Sequence, residues 1–145
     1  GYMNSTLAKV DAVENGYDDA IMLGDNDVVA EGSGQNLFLI KNGKIYTPPI
    51  ETGALGGITR KTVIEIANNL GLETEETNIN ADQLKDADEL FFTGTATEVV
   101  GVVSVDGEDI TDGKPGEITG NIRQKYLEIV NGENEDFLHY LTLVK

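Results

Sequence analysis

Asn36-Leu-Phe-Leu-Ile-Lys-Asn-Gly-Lys-Ile-Tyr-Thr47 reads as two strands, Asn36 to Lys41 and Lys44 to Thr47, joined by Asn42-Gly43. Asn-Gly supplies the positive φ that a two-residue hairpin turn requires, so the strands should pair antiparallel. Upstream, Asp19 to Leu23 and Val28 to Glu31 read as two more short strands around the polar turn Gly24-Asp25-Asn26-Asp27. These four strands suggest an antiparallel meander. Before them, Ser5 can cap a helix running to Asn15, with Met3, Leu7, Val10 and Val13 roughly on one face and Gly16 as its stop.

Downstream, a loop from Pro48-Pro49 through Gly53 leads to Leu55-Gly56-Gly57-Ile58-Thr59-Arg60 and a helix from Thr59 to Leu70. Val63, Ile66, Ala67 and Leu70 follow the i, i+3, i+4, i+7 spacing of one helix face, and Gly71 ends it. Glu73 to Ile79 is a polar strand suited to a sheet edge. Asn80 caps a short helix reaching about Ala87. Glu89 to Thr93 is a strand centred on Leu90-Phe91-Phe92, Gly94 to Thr97 breaks it, and Glu98 to Val105 is a further strand. After Asp106-Gly107 and the Gly113-Lys114-Pro115-Gly116 loop, Glu117 to Val130 reads as a helix with Ile118, Ile122, Tyr126 and Ile129 aligned. Gly132 stops that helix. A short amphipathic tail, Glu135 to Val144, offers Phe137, Leu138, Leu141 and Val144 for packing. The order is mixed α+β rather than a strict βαβ alternation, and 145 residues predict one domain, 1–145.

Composition narrows the function classes. A net charge of −16 argues against binding nucleic acid or anionic membrane over a broad surface, so an anionic ligand needs a local, well-aimed site. There is no cysteine, and His139 is the single histidine, so thiolate and histidine metal clusters are excluded and no metal site is expected. No apolar run is long enough to span a membrane, and Gly-Tyr-Met-Asn at the start carries no signal-peptide pattern. Asn4-Ser5-Thr6 matches a glycosylation sequon but reads as a helix cap. The expectation is a soluble cytoplasmic protein.

Three breaks could carry chemistry. Glu31 ends an apolar strand beside Gly32-Ser33-Gly34, and a buried carboxylate there would need a cationic or protonated partner. A solvated turn is the competing reading. Gly56-Gly57 lets the backbone approach a ligand, and Ile58 and Thr59 stand where free N–H groups of a helix start favour an anion. A plain turn with an N-cap accounts for the same residues. Thr93-Gly94-Thr95-Ala96-Thr97 is a hydroxyl-rich turn that could hold a phosphate or carboxylate, or merely cap. Two anion-type turns and one carboxylate suit a ligand with a phosphate at one end and a protonatable ring nitrogen at the other. No nucleophilic triad, Walker loop or dinucleotide fingerprint is present.

The segments Gly16-Tyr-Asp-Asp-Ala-Ile-Met-Leu23, Ala30-Glu-Gly-Ser-Gly-Gln-Asn-Leu-Phe38, Tyr46-Thr-Pro-Pro49, Gly56-Gly-Ile-Thr-Arg60 and Ala87-Asp-Glu-Leu-Phe-Phe-Thr-Gly-Thr-Ala-Thr-Glu-Val99 occur in order. With Asp106-Gly107 and the Gly113–Gly116 loop, they closely resemble the branched-chain amino-acid aminotransferases, fold-type IV enzymes that use pyridoxal 5'-phosphate. The resemblance implies the large C-terminal domain of that fold, a mixed and mostly antiparallel sheet with helices. It implies that Glu31 pairs with the pyridine nitrogen, and that Ile58 and Thr59 donate to the cofactor phosphate in a cup shaped by Leu55 and Gly57. Thr95 is implied as a further phosphate ligand, the backbone around Thr95 and Ala96 as a substrate carboxylate site, and Tyr2 as a tyrosine near the cofactor. Amino-acid and 2-oxo-acid substrates and a homo-oligomer are implied as well.

Two departures stand against the family pattern. Gly56 replaces the usual proline, which loosens the cup. The Schiff-base lysine is expected upstream of Gly1, as is the small N-terminal domain with its phosphate-binding arginine, and Lys9 does not match that lysine. No catalytic residue is therefore assigned within the chain, and alone it should transaminate negligibly. D-amino-acid aminotransferase and aminodeoxychorismate lyase share the fold and are the near alternatives. A non-catalytic remnant that binds the cofactor or a partner is the distant one.

Overall fold

The computed structural model describes residues 2–32, 34–49, 57–94 and 98–132, with side chains from Thr6 onward. In chain order it holds α1 (Tyr2–Glu14), β1 (Ile21–Leu23), β2 (Val29–Gly32), β3 (Asn36–Lys41), β4 (Lys44–Thr47), α2 (Ile58–Asn69), β5 (Thr74–Glu76), α3 (Ala81–Lys85), β6 (Glu89–Gly94), β7 (Glu98–Val102), β8 (Ser104–Val105), β9 (Glu108–Asp109) and α4 (Glu117–Val130). Five strands form the main sheet in the order β5-β4-β3-β6-β7. All its pairs are antiparallel except β4–β5. This is the α+β, mostly antiparallel architecture expected.

The middle strands β3 and β6 are apolar on both faces because both faces are covered. Phe38, Ile40 and Phe91 pack with Val63, Ile66 and Ala67 of α2 and with Ile122, Tyr126 and Ile129 of α4. Leu37, Leu39, Leu90 and Phe92 point the other way, against Val29, Ile79, Leu84, Ala87 and Ile110. Phe38 and Phe91 are directly opposite in register and stack with ring centroids 4.9 Å apart. That packing holds β3 and β6 in one alignment: a slip of one residue would turn each phenylalanine to the opposite face.

The hairpin from Asn36 to Thr47 forms as read, with Asn42 and Gly43 both at positive φ. The meander does not. The turn in which Gly32 N–H donates to the Gln35 carbonyl at 2.7 Å redirects the chain. As a result β2 pairs back onto β1 in a separate two-stranded ribbon and makes no ladder with β3. The strand expected over Glu98 to Val105 divides at Val103: β7 runs along β6, whereas β8 turns at Asp106-Gly107 to pair with β9. Only Thr74–Glu76 of the expected 73–79 strand forms a ladder, at the sheet edge. Helix α1 begins at Tyr2, not at a Ser5 cap; a serine's capping preference is a local bias of about 1 kcal/mol, small enough for the helix to run through it. Leu7, Val10 and Val13 of α1 are 61%, 50% and 55% exposed, so the face they share is not core among the described residues. The tail with Phe137, Leu138, Leu141 and Val144 lies outside the described residues, as does His139.

Candidate functional site

Asn36 opens β3 and faces Thr93, near the end of β6, in the antiparallel register. Both side chains are buried, on the sheet face that carries Phe38 and Phe91. The Thr93 hydroxyl has no hydrogen-bond partner among the described residues. Asn36 also meets the start of α2: a Cβ added to Gly57 would stand 3.1 Å from Asn36 Oδ1. At Gly32, which ends β2, an added Cβ would stand 2.8 Å from the Phe92 ring. The second break therefore contacts β3, β3 pairs with the strand that enters the third break, and the first break lies on that same strand. Strands β2 and β6 and helix α2 thus bring their breaks to one end of the sheet.

The N-cap of α2 is Gly57, in extended backbone, and among the described residues no side chain caps the helix. No acidic residue occurs in its first turn, although the chain carries 26 Asp and Glu. Ile58 is 80% exposed and Thr59 is buried. Arg60 is buried as well; its Nη2 donates to the Pro48 carbonyl at 3.1 Å and lies 3.3 Å from Glu76 Oε1. Free N–H groups at a helix start carry partial positive charge, so an anion would be favoured at this end.

Helix α4 provides an internal contrast. Glu89, at the start of β6, accepts hydrogen bonds from the N–H groups of Ile118 at 3.2 Å and Thr119 at 2.8 Å. A protein carboxylate thus caps α4, whereas no described side chain caps α2.

Glu31 sits half-buried in β2, opposite Met22 of β1, one residue before the glycine that packs on Phe92. The turn after it is anchored by Gln35, whose Nε2 donates to Asp19 Oδ2 at 2.9 Å. Of the other residues singled out in the sequence, Gly57, Ile58 and Thr59 form the α2 start, while Tyr2 belongs to α1 without a described side chain. Leu55, Thr95 and Ala96 lie outside the described residues, as does the Gly56 departure. The sequence reading overlooked Asn36, Thr93 as a buried hydroxyl, and Arg60. Asn36 was detectable as a polar residue in an otherwise apolar strand, and Arg60 by its place one residue past the cup. Two concavities, of about 840 Å³ beside α1, α3 and β7 and about 330 Å³ beside β4 and β5, are lined by none of Glu31, Gly57, Ile58 or Thr59. Among the described residues no group of three or more acidic, histidine or cysteine side chains could hold a metal ion.

Residues 1–105 match the profile of the family described as amino-transferase class IV. The chain is 44% identical over 144 residues to a branched-chain-amino-acid aminotransferase of Pseudomonas aeruginosa, covering 99% of this chain and 47% of that protein. It superposes with a TM-score of 0.96 on a T.th. branched-chain amino acid aminotransferase complexed with N-(5'-phosphopyridoxyl)-L-glutamate, at 44% identity, covering 99% of this chain and 49% of that one. A branched-chain aminotransferase from Thermoproteus uzoniensis with norvaline gives a TM-score of 0.92 at 45% identity, covering 97% of this chain and 46% of that one. The chain spans about half the length of the curated relatives it matches.

Proposed function

Because the chain belongs to the amino-transferase class IV family, we propose that it supplies the cofactor-phosphate end of a pyridoxal-phosphate enzyme that transfers amino groups between leucine, isoleucine or valine and 2-oxoglutarate. In this reading residues 1–145 form most of the C-terminal domain of a longer protein. The observation that carries it is the arrival of three sequence breaks at one end of the sheet, one of them at a helix start that no described side chain caps.

The residues fit the cofactor. Gly57 leaves room between Asn36 and the helix start that a side chain would fill, and the α2 amides are free of any acidic neighbour in the first turn. When bound, the cofactor supplies an electron-accepting ring that stabilises negative charge at the substrate Cα. The N–H groups of Ile58 and Thr59 and the Thr59 hydroxyl would hold the phosphate, with Leu55 and Gly57 shaping the cup and Thr95 adding a donor. Glu31 would keep a proton on the ring nitrogen, which an anionic carboxylate favours. Tyr2 would lie beside the ring, and the backbone at Thr95 and Ala96 would orient the substrate carboxylate. No residue of the chain is assigned the proton transfer at Cα.

The same reading makes the longer protein a cytoplasmic homo-oligomer that binds neither nucleic acid nor membrane. The net charge of −16 argues against broad binding to nucleic acid or anionic membrane, and no helix among the described residues is long and apolar enough to cross a membrane. The test is to titrate the purified chain with pyridoxal 5'-phosphate, reduce with borohydride and map the product by mass. Reversible binding with no lysine trapped is the expected result, together with negligible turnover of leucine and 2-oxoglutarate. Stoichiometric trapping of one lysine, for instance Lys9, would show that the covalent anchor lies in this chain and that its start is misassigned.

A further inference from the structure

Arg60 stands in the first turn of α2 yet contributes no exposed charge there: it is 5% accessible. Its guanidinium reaches back to two elements that precede and follow the helix. Nη2 donates to the carbonyl of Pro48, the residue after β4, and pairs with Glu76 at the end of β5. Those two strand ends are themselves joined, because Thr77 N–H donates to the Thr47 carbonyl at 3.0 Å. Pro48 and Arg60 flank the connection from β4 to α2, which contains Leu55, Gly56 and Gly57. One guanidinium nitrogen, Nη2, thus ties both ends of that connection to the sheet edge.

A cation in the first turn is unfavourable to the helix dipole, and burying one is costly unless it is paired. Arg60 therefore weakens the helix considered alone, and its placement needs another reason. Resting on the phosphate-cup reading above, we propose that Arg60 is a positioning residue: by clamping the α2 start to Pro48 and Glu76 it holds the amides of Ile58 and Thr59 in register for a phosphate, without itself touching the anion.

Geometry and bare charge make opposite predictions. If Arg60 acted as a positive charge near the phosphate, removing Glu76 would strengthen phosphate binding, and lysine would serve in its place. If it acts by position, lysine fails, because its ammonium stops one bond short of where Nη2 meets both Pro48 and Glu76, and loss of Glu76 loosens the clamp. The experiment compares the affinities of pyridoxamine 5'-phosphate and pyridoxamine for the 145-residue chain, by fluorescence titration; neither probe carries an aldehyde that would react with surface lysines. Their ratio isolates the phosphate contribution. The unsubstituted chain should prefer the phosphorylated probe. R60K should reduce that preference about tenfold, as expected for a lost charge-assisted hydrogen bond, with pyridoxamine affinity unchanged. E76A, at a half-exposed partner that folding tolerates, should reduce it about threefold. Circular dichroism of each variant establishes that the helices are retained, and should R60K fail to fold, E76A decides. An R60K ratio equal to that of the unsubstituted chain, or an E76A ratio that rises, would overturn the positioning role. An unsubstituted chain with no preference for the phosphorylated probe would instead defeat the phosphate-cup reading, and the Arg60 role with it.

Discussion

Helices α2 and α4 lie side by side on one face of the sheet and are built alike, yet their N-termini differ. Each begins after an extended glycine, Gly57 or Gly116, and each buries an apolar stripe against Phe38 and Phe91. At α4 the Glu89 carboxylate accepts two backbone N–H groups, and Glu117 adds a second acid in the first turn. At α2 no acid is present in the first turn, no described side chain caps the helix, and Arg60 adds a cation. The free N–H groups of a helix start must be satisfied by something. One helix satisfies two of them from within the fold; at the other no described side chain does, and in the proposed reading an anion from outside would.

Variants that exchange the two situations are the strongest way to break this contrast. Gly57→Asp places a carboxylate at the α2 start. It should weaken pyridoxamine 5'-phosphate binding about a hundredfold, from like-charge repulsion at a few ångströms in a partly screened site, while pyridoxamine binding changes little. Fluorescence titration of both probes checks this, and equal losses for both would break the contrast. In the reverse direction, Glu89→Ala removes the internal cap of α4. It should destabilise the chain by about 2 kcal/mol in urea unfolding, because two half-buried amides lose their acceptor, and it should leave the ratio of the two probe affinities unchanged.

Gly116→Ala addresses the same cap sterically. An added methyl would collide with the Glu89 side chain, so the carboxylate must leave the α4 amides. A loss of about 1 to 2 kcal/mol in the same unfolding assay is expected, not exceeding that of Glu89→Ala because the two act through one contact. Thr59→Val sharpens the other side. It keeps the buried shape, removes the hydroxyl, and should reduce only the phosphorylated probe's affinity, about fivefold for one lost hydrogen bond. The smallest effect is expected at Val13→Asp on the exposed face of α1, within about 0.5 kcal/mol of the unsubstituted chain, as for a surface substitution. A larger loss would show that this face is packed in solution.

The elements were legible to different degrees. The Asn36–Thr47 hairpin and helix α4 were read residue for residue, because an Asn-Gly turn and a four-turn apolar stripe are local signals. The meander was misread because Val28 to Glu31 is equally able to pair with its predecessor or its successor. The Gly32–Gln35 turn decides between them, and its effect appears only once Gly32 is packed on Phe92. Glu89 was read as the first residue of a strand, and its carboxylate cap on a helix 29 residues later has no local signature.

By itself the sequence determined the kinds of element, their order, and the composition of the site: a glycine pair before a helix, a carboxylate after an apolar strand and a hydroxyl-rich turn. Each follows from short-range physics, from φ preference, capping and periodicity. Only the tertiary structure decided that the breaks share one end of the sheet, that Asn36 and Thr93 face each other beside Gly57, and that Arg60 is spent on Pro48 and Glu76 rather than on solvent. Those relations depend on strand register and on which face of the sheet each helix covers. Register is set by the summed burial of residues far apart in the chain, such as Phe38 on Phe91, and no short window of sequence contains that sum.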